Sequence, residues 1–186
     1  MISQADDGIV VVVTTEQYLY STEETNRKRE LAFGKVCEPP APFFSHQELV
    51  LRVARLLCAH VEPRRLGRVA IAPVDVILDR ERALIVQPDV LFVSTKRLSI
   101  VRDQVWGAPD LVVEVLSNGT ARRDRHEKLG WYRQYGVHEC WLVDLSNERA
   151  VVVDFVEPAE RAARGVESIR SAVLPALEAS AFGIFA

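Results

Sequence analysis

The stretch PDLVVEVLSNGTARRDRHEK, residues 109–128, decides how the rest of the chain is read. Its first half is a run of Leu and Val bounded by turn residues, the composition of a strand. Glu114 interrupts that run, and Asp110 stands at its start. Side chains alternate along a strand, so Asp110, Val112, Glu114 and Leu116 share one face, and Leu111, Val113, Val115 and Ser117 the other. An unpaired carboxylate inside a strand is costly, so Glu114 requires a counter-charge, a proton or a metal ion. A basic segment follows at once.

That segment is read as a helix from about Ala121 to Tyr135, ending at Gly136, a natural residue for a helix stop. Lys128, Trp131, Tyr132 and Tyr135 recur at i, i+3, i+4 and i+7, which sets Lys128 on the stripe that faces the sheet. Lysines normally point to water, so this one either snorkels from the edge or meets the carboxylates of the preceding strand. Asp124, four residues earlier, is an alternative partner. Upstream, ALIVQPDVLFVS carries Asp89 directly after Pro88. If its strand neighbours the Glu114 strand, Asp89 and Glu114 come within reach of one hard cation. Oxygen ligands without a His/Cys cluster favour Mg²⁺ or Mn²⁺ over zinc. By itself Asp89 also fits a turn or strand start, and Asp110 fits a cap as well as a site.

Working outward, RELAFGKVCEPP (29–40) is read as a hairpin turning near Gly34, and Thr15 to about Asn26 as a short helix. SHQELVLRVARLLCAHV (45–61) is helical by its Leu and Val spacing, with Ser45 and Glu48 as a capping box. His46 falls on its apolar side. RVAIAPVDVIL, ALIVQPDVLFVS and DLVVEVLS are expected as three strands, and ECWLVDL with AVVVDFV as a hairpin around Ser146-Asn147. The expectation is an α/β domain around a central mixed sheet flanked by helices, with an N-terminal β-hairpin.

The chain's 186 residues suit a single domain spanning 1–186. A formal charge of −3 supplies no global basic field, so nucleic-acid contact rests on a local patch. In ARRDRHEKLGWYR (121–133) five basic residues against two acidic leave about +3, with Arg122, Arg123 and Arg125 as candidate phosphate contacts. A solvated helix face explains that run equally well. Three cysteines without metal-type spacing read as reduced thiols. The acidic N-terminus and its short apolar run, Ile9–Val13, do not make a signal or a membrane span, so a cytoplasmic location is expected.

Taken together, QPDVLFVS, GAPDLVVEVLS, the run Asp124, Lys128 and Tyr132, YGVHECWLVD, RELAFG and the His-led helix occur in an order that resembles a known family. It is the Uma-type putative restriction endonuclease family of the PD-(D/E)XK nuclease superfamily, and the likeness covers nearly the whole chain. It implies a nuclease-like domain that hydrolyses DNA phosphodiester bonds with Mg²⁺ (or Mn²⁺). Asp89 and Glu114 would be the metal ligands, Lys128 the catalytic amine, and Glu30 and His46 site neighbours. Leu116 stands where the superfamily's usual lysine would be, so the resemblance implies that the amine has moved to Lys128 on the helix. Asn118-Gly119 and Cys140 are milder departures. A homodimer suits cleavage of two strands. The rival expectations are a non-catalytic nuclease-fold module that binds nucleic acid or protein, and a hydrolase of smaller phosphate esters.

Overall fold

The computed structural model describes residues 12–21, 27–116 and 121–186, with side chains in the last span from residue 126 onward. Expectations placed on Asn118-Gly119, on the chain from 22 to 26, and on the side chains of Arg122, Arg123, Asp124 and Arg125 lie outside the described residues.

Two mixed sheets flanked by helices make up the fold. In chain order the elements begin with α1 (Thr15–Leu19) and the hairpin β1 (Glu30–Ala32) and β2 (Lys35–Cys37), followed by the long α2 (Phe44–Val61). Then come β3 (Gly67–Ile71), β4 (Val76–Asp79), β5 (Leu84–Val86) and β6 (Val90–Ser94). A 3₁₀ turn over Thr95–Ile100 leads to β7 (Val105–Trp106) and β8 (Leu111–Leu116). The chain closes with α3 (Ala121–Tyr135), β9 (Glu139–Asp144), β10 (Arg149–Asp154), β11 (Ala159–Arg164) and α4 (Ala181–Phe185).

The six-stranded sheet runs β11-β10-β9-β8-β6-β3, and the five-stranded sheet runs β2-β1-β5-β4-β7. In the larger sheet β8 and β9 are parallel, with α3 as the crossover between them. The segments RVAIAPVDVIL and ALIVQPDVLFVS were each expected as one strand. Each is two strands, β3 then β4 and β5 then β6, and in both cases the two lie in different sheets. Pro73 and Pro88 fall at the breaks. Proline has no N–H to donate to a ladder, so the chain leaves one sheet there and joins the other.

One face of the larger sheet packs Phe92, Val113 and Trp141 against Leu49, Val53 and Leu57 of α2 and against Leu174 and Ile184 of the tail. The other face packs Leu91, Val112 and Leu142 against Tyr132 and against Val76, Leu84 and Val86 of the smaller sheet. The α2 start differs from the expected capping box. Phe43 is the N-cap and makes no side-chain cap bond, so Ser45 lies inside the first turn, and Glu48 pairs with Arg52 at 3.0 Å. At the β1–β2 turn Phe33 (φ 51°) and Gly34 (φ 85°) both take left-handed backbone, the requirement of a two-residue hairpin turn. A Cβ at Gly34 would also stand 2.3 Å from Val12 Cγ1. Among the described residues no helix is long and apolar enough to cross a membrane.

Candidate active site

Strand register brings the two acids together. β6 runs antiparallel to β8 with Phe92 opposite Leu111, Leu91 opposite Val112 and Val90 opposite Val113. One step further the same register sets Asp89 opposite Glu114, on the face that looks toward α3 and the smaller sheet. Both are largely buried, 5% and 9% exposed. The Val115 N–H donates to Asp89 Oδ2 at 2.8 Å, which fixes that carboxylate against β8.

Helix α3 contributes two donors one turn apart. The Tyr132 hydroxyl donates to Glu114 Oε1 at 2.5 Å, and Lys128 Nζ lies 3.2 Å from the same oxygen. The period of the helix dictates this, since positions i and i+4 lie on one face. Lys128 Nζ also stands 2.8 Å from Glu30 Oε1, at the start of β1. That oxygen is held by the Gln87 N–H at 2.8 Å, while the Gln87 side chain accepts from the Arg29 N–H and donates to Asp75. The hairpin is thereby tied to the residue just before Pro88.

One oxygen of each acid is left over, Asp89 Oδ1 and Glu114 Oε2, and both face the same cation. Lys28 Nζ is 2.8 Å from Asp89 Oδ1 and 3.9 Å from Glu114 Oε2. His46, in the first turn of α2, brings Nε2 to 3.6 Å from Asp89 Oδ1. Lys28 was not among the residues expected from the sequence. The available signal was its position two before Glu30, which in extended chain puts both on one side.

Burial penalises every charge here, and the neighbours decide the balance. For Asp89 burial pushes the carboxyl up, but His46, the Lys28 ammonium and the Val115 N–H together hold it well below the usual carboxylate range. For Lys128 burial acts against the ammonium, and the charges of Glu114 and Glu30 outweigh it, holding the amine above its ordinary value. Burial and the same two carboxylates push the Tyr132 phenol well up, so it stays protonated and donates.

Asp110 does not join the cluster. It shares a face with Glu114, but four residues of strand separate the two by about 13 Å. Its Oδ2 accepts the Ser94 N–H at 2.7 Å, and its Oδ1 faces Arg97 and His138, each at 3.5 Å. It fastens the end of β6 to the start of β9. Leu116 packs against the apolar cluster that contains Tyr132, and the amines near the two acids come from α3 (Lys128) and from the segment before β1 (Lys28).

Among the described residues no group of three or more His, Cys, Asp or Glu side chains is placed to hold a metal ion. The donor set nevertheless fits a hard divalent cation. Among the described residues, Asp89 Oδ1 and Glu114 Oε2 face a common point met by Lys28, with His46 beside Asp89 Oδ1, and Mg²⁺ characteristically takes one or two carboxylates and completes its shell with water and substrate.

The fold is that of a nuclease-like α/β protein. It is similar to the crystal structure of a putative nuclease belonging to DUF820 from Anabaena variabilis ATCC 29413, at a TM-score of 0.79 over 93% of this chain and 97% of that one, with 17% sequence identity. The profile of the Uma2 family, described as putative restriction endonuclease, matches residues 15–181, and the chain belongs to that family. It is also 24% identical over 141 residues to the uncharacterized protein sll1609 of Synechocystis sp. (strain ATCC 27184 / PCC 6803 / Kazusa), covering 72% of this chain and 75% of that protein.

Proposed function

We propose that the chain is an endonuclease that hydrolyses DNA phosphodiester bonds with Mg²⁺ or Mn²⁺ held by Asp89 and Glu114. The observation that carries this reading is the convergence of Asp89 Oδ1 and Glu114 Oε2 on one cation. Membership in a family described as putative restriction endonuclease supports a nucleic-acid substrate. When bound, the ion would polarise a phosphoryl oxygen, acidify a bound water and offset charge on the leaving oxygen.

The chain's own residues prepare the place. The Val115 N–H and the Tyr132 hydroxyl each occupy the inner oxygen of one acid and so turn its other oxygen outward. Lys128 is held as an ammonium by Glu114 and Glu30. That state suits a fixed positive charge opposite a developing phosphorane. Cutting both strands calls for one such centre per strand, so a homodimer belongs to this reading.

The test is supercoiled DNA, single-stranded DNA and RNA, each incubated with Mg²⁺, Mn²⁺ or EDTA beside the Glu114→Ala protein. The expected result is cleavage of DNA that requires metal and is lost in the variant, with linear product from the dimer. Unchanged cutting by Glu114→Ala removes Glu114 from the metal set. Retention of DNA without cutting under any ion makes the chain a binding module instead.

A further inference from the structure

Lys28 lies just ahead of β1, and its ammonium stands 2.8 Å from Asp89 Oδ1 and 3.9 Å from Glu114 Oε2. These are the outer oxygens of the two acids, because the inner ones are taken by the Val115 N–H, Tyr132 and Lys128, and besides Lys28 only His46 among the described residues approaches them, at 3.6 Å from Asp89 Oδ1. An ammonium and a hard metal ion want the same surroundings, anionic oxygen with no competing donor. They cannot share one place, since like charges at contact distance repel.

The two lysines at the site are not equivalent. Lys128 is gripped by Glu30 at 2.8 Å and Glu114 at 3.2 Å, and its side chain is 14% exposed. Among the described residues Lys28 makes one contact shorter than 3.5 Å, with Asp89, and its side chain is 23% exposed. Of the two, Lys28 is the less tightly held, and Glu114 keeps Lys128 when Lys28 moves away.

We infer that Lys28 is a built-in substitute for the metal ion. It neutralises Asp89 and Glu114 while no ion is bound, and it must withdraw before one enters, so it sets the ion affinity of the site. This rests on the metal-ligand reading of Asp89 and Glu114 and adds the residue that competes for their oxygens.

The test titrates Mn²⁺ alone, without nucleic acid, into the full chain as wild type, Lys28→Met and Lys28→Arg, by calorimetry, with thermal unfolding in parallel. Lys28→Met should bind Mn²⁺ at least about tenfold more tightly than wild type, and Lys28→Arg, which keeps a cation, should not. Without metal, Lys28→Met should melt below wild type, because Asp89 Oδ1 and Glu114 Oε2 then lose the cation between them, and saturating Mn²⁺ should close the gap. If the variant is unfolded without metal, Mn²⁺ should restore its fold. Wild type that binds Mn²⁺ while Lys28→Met binds it no more tightly, or an unfolded variant that Mn²⁺ does not rescue, overturns the inference and leaves the metal site standing. Folded wild type and folded Lys28→Met that both fail to bind Mn²⁺ overturn the metal site itself.

Discussion

Glu114 and Glu139 are buried carboxylates on the neighbouring strands β8 and β9, and they are satisfied in opposite ways. Glu139 is fully buried. It accepts from Trp141 Nε1 at 2.7 Å, the Ser171 hydroxyl at 2.6 Å and the Ala172 N–H at 2.6 Å. Every one of these donors is neutral and fixed by the fold. Glu114 is met by Tyr132 and by two ammonium groups, Lys128 and Lys28. A carboxylate saturated by backbone and neutral side chains acts as a fastener, here pinning the tail to the sheet. Glu114 instead turns one oxygen toward a partly exposed lysine, which is the difference the proposed metal site relies on.

The largest expected effect separates the two roles. Glu114→Gln should lower metal-dependent cleavage by about a hundredfold or more. Glu139→Gln should leave the specific activity of folded protein intact while costing about 2–4 kcal/mol in urea unfolding, since it turns a donor toward donors. Full activity in the first variant, or loss of cleavage in a folded form of the second, would erase the distinction.

A smaller effect sharpens it. Tyr132→Phe removes one hydrogen bond to a charged acceptor and should cost about 1.5–3 kcal/mol in the same assay. A loss well below that range would mean that the lysines alone suffice for Glu114.

The smallest effect is one of pH. Lys128 has a folded-state pKa above its ordinary 10.5, so its contribution is complete below that value and fades as pH rises through the folded one. The stability gap between wild type and Lys128→Met should therefore stay constant from about pH 6 to pH 9 and narrow only above about pH 10.5. Narrowing already near pH 8 would show that the ammonium is not held as described.

The strand β8, the face of Glu114 and the inward stripe carrying Lys128 were legible because each depends on local periodicity. Whether Asp89 met Glu114 depended on which strands were neighbours, and the sequence left that conditional. The division into two sheets was hidden because Pro73 and Pro88 interrupt segments whose composition is uniformly strand-like. β11, AERAAR, lacks β-branched residues, and its pairing with β10 through a hairpin sets its conformation. Asp110 shows the limit of face arguments, which give the side of a strand and say nothing of distance along it. Lys28 was missed because its partners lie 61 and more residues away, across a hairpin that first has to dock.

The antiparallel match of β6 and β8 has one more consequence. Strand side chains alternate, so sliding either strand by a single residue would turn Phe92 or Val113 away from α2 and send an acid into the apolar layer instead. Misalignment is thereby penalised by the bulk of the protein's interior. A chain that has buried its hydrophobic residues correctly has already lined up its acids, and assembly serves as the inspector of the site.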